Sequence, residues 1–372
     1  MFAALFLILV AALVAYANGA NDNFKGVATL YGSAMTNFKA ALWWANTTTL
    51  LGALTAVSFG HRLAWVFGGS GLLPDDIVRF VPFLVPVGFA AAATVLFATR
   101  LGLPISTTHA LMGSLTGAGI LAAPGLFNFS TLATKFLMPL LISPFVAFLV
   151  TLVVYPVLSS LRQRLGITRE SCGCIGMTAC EPETMNGVAA MTTEVPAVKI
   201  ATLQECKQEY AGSVVGVSAQ KLLNMLHFGS AGAVGFARGL NDAPKIAGLA
   251  MAGAALPMHQ AVLLAAAAML VGGIMGTRRV AETMSHRITT MNDGQAFTAN
   301  AVTALLVLLG SLASLPFSTT HVSCGALFGL GAVTAGAHKK MIAGVIASWV
   351  TTLPLAASLS ALFFMLMKGV LA

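Results

Sequence analysis

Long apolar runs alternate with short polar breaks along almost the whole chain. Runs of spanning length, about 20 residues each, lie roughly at 2–20, 41–59, 80–99, 103–123 and 134–158. A polar stretch follows at 159–220. Further runs lie near 222–254, 257–276, 295–315, 316–336 and 341–371. Runs that carry polar clusters predict broken helices or re-entrant hairpins in place of full spans. The first run, from Met1 to Tyr16, has no Lys or Arg before it and reads as a retained span, not a signal peptide. The pattern predicts an all-α polytopic membrane protein. Residues 1–158 form a first transmembrane repeat, 159–220 a cytoplasmic linker loop, and 221–372 a second repeat.

Composition narrows the class. Of 372 residues, 57% are apolar and 9% are charged, against about 25% charged in a soluble domain. A chain with so few charges cannot cover a water-facing surface, which excludes a soluble enzyme. The 37 glycines suit helices packed closely in a bilayer. A net charge of +8 would suggest nucleic acid in a soluble protein. Here the basic residues sit at the ends of apolar runs, the positive-inside pattern. The charge is therefore assigned to orientation and contact with the lipid bilayer, with no nucleic-acid partner. Arg162, Arg164 and Arg169 place the central loop in the cytoplasm, and counting crossings gives the two halves opposite topology.

The acids can be placed one by one. Most lie in the central polar stretch or in loops, and only Asp22 and Asp242 stand within or beside apolar segments. An intramembrane carboxylate is expensive and marks a functional site by default.

An internal repeat contains both. The segment Tyr16–Lys25 recurs as Phe236–Lys245, and Leu103–His109 recurs as Leu315–His321, at nearly the same separation along the chain. Two motifs recurring in order, in halves of opposite topology, indicate the inverted repeat of a secondary transporter with its site near the midplane.

The motifs suggest a chemistry. In Pro104-Ile-Ser-Thr-Thr-His109 and Pro316-Phe-Ser-Thr-Thr-His321, Pro stops one helix and Ser or Thr caps the next. Such a start inside the membrane offers free N–H groups to an anion. Ser106, Thr107, Thr108, Ser318, Thr319 and Thr320 add six hydroxyls. Gly19-Ala-Asn-Asp22 and Gly239-Leu-Asn-Asp242 combine a glycine that permits a helix break with hard oxygen ligands. Asn21, Asp22, Asn241 and Asp242 are thus candidate sodium ligands. The simpler alternatives are hydroxyls bonded within their own helix and i,i+3 ion pairs of Asp22 with Lys25 and Asp242 with Lys245. His109 and His321 read as groups that orient the preceding Thr or contact the anion. Lys25 and Lys245 either draw the anion or snorkel to an interface. Cysteines 172, 174, 180 and 206 lack zinc spacing, and a cytoplasmic loop keeps them reduced and free.

With these residues in view, the chain resembles the inorganic phosphate transporter (PiT) family. The two Asn-Asp motifs and the paired Pro-x-Ser-Thr-Thr-His motifs carry the likeness across both halves. The resemblance implies a symporter that moves phosphate with sodium or protons, has no cofactor, and is commonly a homodimer. It also implies an anion site of Asp22, Asp242 and the Ser-Thr-Thr residues 106–108 and 318–320, with sodium at the Asn-Asp pairs. Some relatives carry sulfate, which keeps a sulfate permease as the alternative substrate reading. A passive anion channel would use similar hydroxyls without a cation requirement. A membrane phosphotransferase would need one catalytic centre, which a twofold duplication does not suit.

Overall fold

In the computed structural model, the described residues are 2–168, 170–179, 194–202, 204–205 and 215–371. The first half carries α1 (Phe2–Asp22), α2 (Phe38–Phe59), α3 (Val81–Arg100), α4 (Thr107–Ala122) and α5 (Met138–Arg164). The second carries α6 (Ala219–Ala252), α7 (Met258–Gly276), α8 (Asp293–Leu312), α9 (Thr319–Thr334) and α10 (Lys339–Leu371). Among the described residues, six helices are long and apolar enough to cross a membrane, and α2 turns by 89° into a short helix at His61–Phe67.

Residues 1–155 and 228–372 make one compact unit, and its polarity runs opposite to that of a soluble protein. Phe145, Met275 and Val350 are about 70% exposed, while Asn18, Asp22, Lys25, Arg238, Asp242 and Lys245 are buried. Apolar residues outside and charges inside suit a solvent of hydrocarbon, where charged groups turn to the bundle interior.

The repeat in sequence is also a repeat in packing. α4 and α9 have the same length and begin at equivalent threonines of the repeated motif, Thr107 and Thr319. The left-handed residues recur too: Ala34 (φ 58°) with Ala254 (φ 51°), and Gly102 (φ 71°) with Ser314 (φ 56°). The halves interlock by exchange. A methyl at Gly19 of α1 would lie 2.0 Å from the Met269 carbonyl oxygen of α7, and one at Gly239 of α6 would lie 2.0 Å from that of Thr49 in α2. Likewise Gly117 of α4 abuts Ala357 of α10, and Gly325 of α9 abuts Pro144 of α5. Small residues let these backbones touch, as membrane helix pairs require.

Two expectations are corrected here. Gly19 and Gly239 do not break their helices. α1 continues to Asp22 and α6 runs on past Asp242 through Pro244. Their glycines are contact points, because a side chain there would strike the facing backbone.

The central stretch is also more than a free loop. Residues 156–227 form a separate compact unit with an antiparallel sheet of strand order β2-β1-β3. Its strands are β1 (Ser171–Ala179), β2 (Glu194–Thr202) and β3 (Val215–Ser218). Ile175, Val198, Ile200 and Val217 supply β-branched residues that favour such strands. Cys172 is a buried free thiol. Cys174 is disulfide-bonded, contrary to the expectation of free thiols throughout. Cys180 and Cys206 lie outside the described residues.

Candidate functional site

The Ser-Thr-Thr motifs sit where two helices begin inside the protein. Ser106 (φ −97°, ψ 116°) and Ser318 (φ −95°, ψ 116°) are extended, and each side chain accepts the N–H of the His three residues on, at 3.2 and 3.3 Å. Both serines cap their helices and keep a hydroxyl proton to donate.

The segments before those helices are held by the Asn of the Asn-Asp pairs. Asn21 Nδ2 donates to the Leu103 carbonyl (3.0 Å) and Thr99 Oγ1 (2.9 Å), while its Oδ1 accepts the Ile105 N–H (3.2 Å). In the second half Asn241 Nδ2 donates to the Phe317 carbonyl (3.1 Å), and its Oδ1 accepts the Ser311 hydroxyl (3.2 Å). Non-helical backbone in a membrane needs such partners, since lipid offers none. Asn21 and Asn241 thereby fix the entry into α4 and α9.

The carboxylates meet at the centre. Asp22 accepts from Asn18 Nδ2 (2.8 Å), the Thr107 hydroxyl (3.1 Å) and Lys25 Nζ in a short ion pair. Asp242 accepts from Asn241 Nδ2 (2.9 Å) and the Thr319 hydroxyl (3.4 Å), with Arg238 Nε at 3.7 Å and Lys245 Nζ at 3.8 Å. The Asn18 amide nitrogen reaches Asp242 as well, at 3.3 Å. One nitrogen thus touches both acids, so the two copies of the Asn-Asp motif share a single site.

The lysines do not snorkel; both are buried. Each bridges the halves. Lys25 Nζ donates to the Ile105 carbonyl of its own half (2.9 Å) and to Thr320 Oγ1 of the other (2.6 Å). Lys245 Nζ donates to the Phe317 carbonyl (2.6 Å) and to Thr108 Oγ1 (3.2 Å). The i,i+3 pairing with Asp is present but is only part of their role. His109 and His321 do not orient the preceding threonines through their rings. The rings meet each other instead, 4.4 Å between centroids, and His321 Nδ1 lies 3.3 Å from the Leu140 carbonyl.

The residue missed in the sequence is Arg238. It is almost fully buried and donates to Asn18 Oδ1 (2.6 Å), Asn23 Oδ1 (2.7 Å) and Thr49 Oγ1 (3.2 Å). Its counterpart in the repeated motif is Asn18 itself. The sequence signal for Arg238 is a lone cation inside an apolar run, within a repeated motif whose other copy has an uncharged residue at that place. Asn23, Asn46 and Thr49 line the Arg238 pocket or its rim, whereas the equivalent positions hold Ala243, Ala266 and Met269. The twofold likeness is broken here.

A buried polar cluster where two interlocked helical halves meet, inside a multi-pass integral membrane protein, is the architecture of a membrane transporter. Residues 18–360 match the phosphate transporter family, and the chain belongs to it. A chain of Thermococcus kodakarensis with a phosphate permease designation is 27% identical, over 97% of this chain and 96% of its own length. A relative from Rhizobium meliloti, designated a low-affinity inorganic phosphate transporter, is 26% identical over 96% of this chain and 94% of its own length. These relatives are transporters and not enzymes. The fold is similar to a solved structure titled the sodium-dependent phosphate transporter, with a TM-score of 0.76, 21% identity and 99% of both chains covered.

Proposed function

We propose that this chain is a cation-coupled symporter that imports inorganic phosphate by alternating access, with sodium or protons as the driving ion. The observation that carries this reading is the meeting of both Asp residues and Thr107 at one amide nitrogen, Asn18 Nδ2, with Thr319 of the second Ser-Thr-Thr motif bonded to Asp242. Residues 1–158 and 221–372 act as inverted repeats, and 159–220 links them. Phosphate lies among Asp22, Ser106, Thr107, Thr108, Asp242, Ser318, Thr319 and Thr320. Positive charge at each Asp, beside Asn21 and Asn241, makes the site fit for an anion. In the closed arrangement Thr107 and Thr319 bond the carboxylate of their own half, and Thr108 and Thr320 accept from the lysine of the other. Phosphate oxygens replace those partners on binding, and a shift of one half against the other opens the site to the opposite side.

Sulfate is disfavoured by the acids. A buried carboxylate accepts a hydrogen bond from a protonated phosphate, whereas sulfate has no proton to give near neutral pH. Sites that hydrogen-bond their substrate reject an analogue lacking the group by up to about 10⁴-fold or more.

Reconstituted protein should take up labelled phosphate into liposomes under an inward cation gradient and ignore excess sulfate. Asp22→Asn and Asp242→Asn should each abolish uptake. Labelled sulfate entering faster than phosphate would overturn the substrate, and flux without any cation gradient dependence would favour a channel.

A further inference from the structure

The positions suited to sodium already hold cations. Lys25 Nζ stands among four oxygens: Asp22 Oδ1, Asn21 Oδ1 (3.0 Å), the Ile105 carbonyl (2.9 Å) and Thr320 Oγ1 (2.6 Å). A carboxylate, an amide oxygen, a backbone carbonyl and a hydroxyl make the hard oxygen shell an alkali ion requires. Lys245 Nζ repeats the arrangement with Asp242 Oδ1 (3.8 Å), the Phe317 carbonyl (2.6 Å) and Thr108 Oγ1 (3.2 Å). Three members of the two sets correspond, Asp22 with Asp242, Ile105 with Phe317 and Thr320 with Thr108, at equivalent places in the repeated motifs; the fourth, Asn21 Oδ1, has no counterpart at Lys245, because Asn241 Oδ1 accepts from the Ser311 hydroxyl. A lysine reaching the same kinds of oxygen in both halves is a built feature and not a chance pairing.

We propose that Lys25 and Lys245 are tethered cations that replace sodium at Asp22 and Asp242, so that the chain carries monovalent dihydrogen phosphate without sodium. The inference rests on the phosphate-transport reading above. An ammonium on a covalent stem cannot leave with the substrate, so these sites hold charge for the anion but couple no metal ion to its passage.

The charge balance identifies the substrate species. Lys25, Lys245 and Arg238 face Asp22 and Asp242, and all five are buried. His109, His321 and Cys324 also border this cluster. With the imidazoles and the thiol neutral, three cations against two carboxylates leave one positive charge. A monovalent anion makes the closed complex neutral. A divalent one leaves a net negative charge in a low-dielectric interior, where uncompensated charge is costly. Arg238 is what tips the balance, because the equivalent residue of the other half is the uncharged Asn18. The proton then enters as part of the anion, and an acidic exterior raises the share of transportable phosphate.

The test is initial uptake of labelled phosphate by the wild-type protein in liposomes, with sodium replaced by choline on both sides. The inference expects an unchanged rate, and an apparent affinity for total phosphate that improves in step with the monovalent share as the medium is acidified. A loss of about tenfold or more on sodium removal, or an affinity that follows the divalent share, would overturn it. In the Lys25→Asn, Lys245→Asn double variant, sodium-free uptake should be lost; wild-type uptake without sodium in that variant would also overturn it. Failure of the wild-type protein to move phosphate under either a sodium or a proton gradient would instead remove the transport reading itself.

Discussion

Lys25 Nζ and Thr320 Oγ1 lie 2.6 Å apart although they stand at positions far apart in the chain. The lysine belongs to the first half and the threonine starts a helix of the second. Lys245 and Thr108 make the reciprocal contact at 3.2 Å. Each half therefore places its cation on a helix-start hydroxyl of the other, and any movement of the halves must break or carry both bonds.

Removing a buried cation strands its carboxylate. Lys25→Met should destabilise the protein by about 3–5 kcal/mol, the usual cost of breaking a buried ion pair from one side. The double variant Lys25→Met, Asp22→Asn should recover much of that stability and no transport. Thermal unfolding in detergent, set beside liposome uptake, separates the two effects. A double variant as unstable as the single one would contradict the pairing.

The hydroxyls are tested by removing one group at a time. Thr108→Ala and Thr320→Ala should each cost about 1–3 kcal/mol, the penalty for leaving a buried donor unsatisfied. That corresponds to a roughly 5- to 150-fold fall in kcat/KM for phosphate uptake. Thr→Ser at either position keeps the hydroxyl and should retain most of the activity. Equal losses for Ala and Ser would point to packing of the methyl group.

The interlock of the halves depends on bare backbone. Gly19→Ala and Gly239→Ala each place a methyl 2.0 Å from a facing carbonyl oxygen, so two helices must separate. Each should lower stability by at least the about 1–3 kcal/mol of an overpacked core and slow uptake. Gly344→Ala, on an exposed face of α10 with nothing within 4 Å, is the control and should change neither.

The broken symmetry at Arg238 makes a sharper prediction. Exchanging the pair, as Asn18→Arg with Arg238→Asn, preserves net charge and composition. It should nevertheless fail to restore the uptake lost in Arg238→Asn alone. An arginine at position 18 would face Ala243 and Met269, where Arg238 finds Asn23 and Thr49. Recovery of uptake in the exchanged protein would show that only the charge count matters.

How much of this was legible before folding follows from what each signal depends on. Apolar run length is set by bilayer thickness, so the spanning helices could be read within a few residues, as α3 and α7 illustrate. Pro, then Ser, then Thr is a local instruction for a helix start, and Ser106 and Ser318 follow it to within a few degrees of each other. Repetition of both motifs made Asp22 and Asp242 conspicuous, because an acid in lipid needs a reason to be there.

Other features depended on what each residue meets. Gly19 has the same local sequence signal whether it breaks a helix or touches one, and only the Met269 backbone opposite decides between them. Lys25 and Lys245 could equally reach an interface until α4 and α9 brought Thr108 and Thr320 to them. In the sequence Arg238 is a single cation without a marked partner, and its pocket is assembled only from Asn18, Asn23 and Thr49 in the other half. Local order is written in neighbouring residues and in the thickness of the bilayer. Charge partnership between distant parts of the chain arises only when the two halves interlock, because the energy of a buried ion depends on which oxygens surround it and not on its place in the chain.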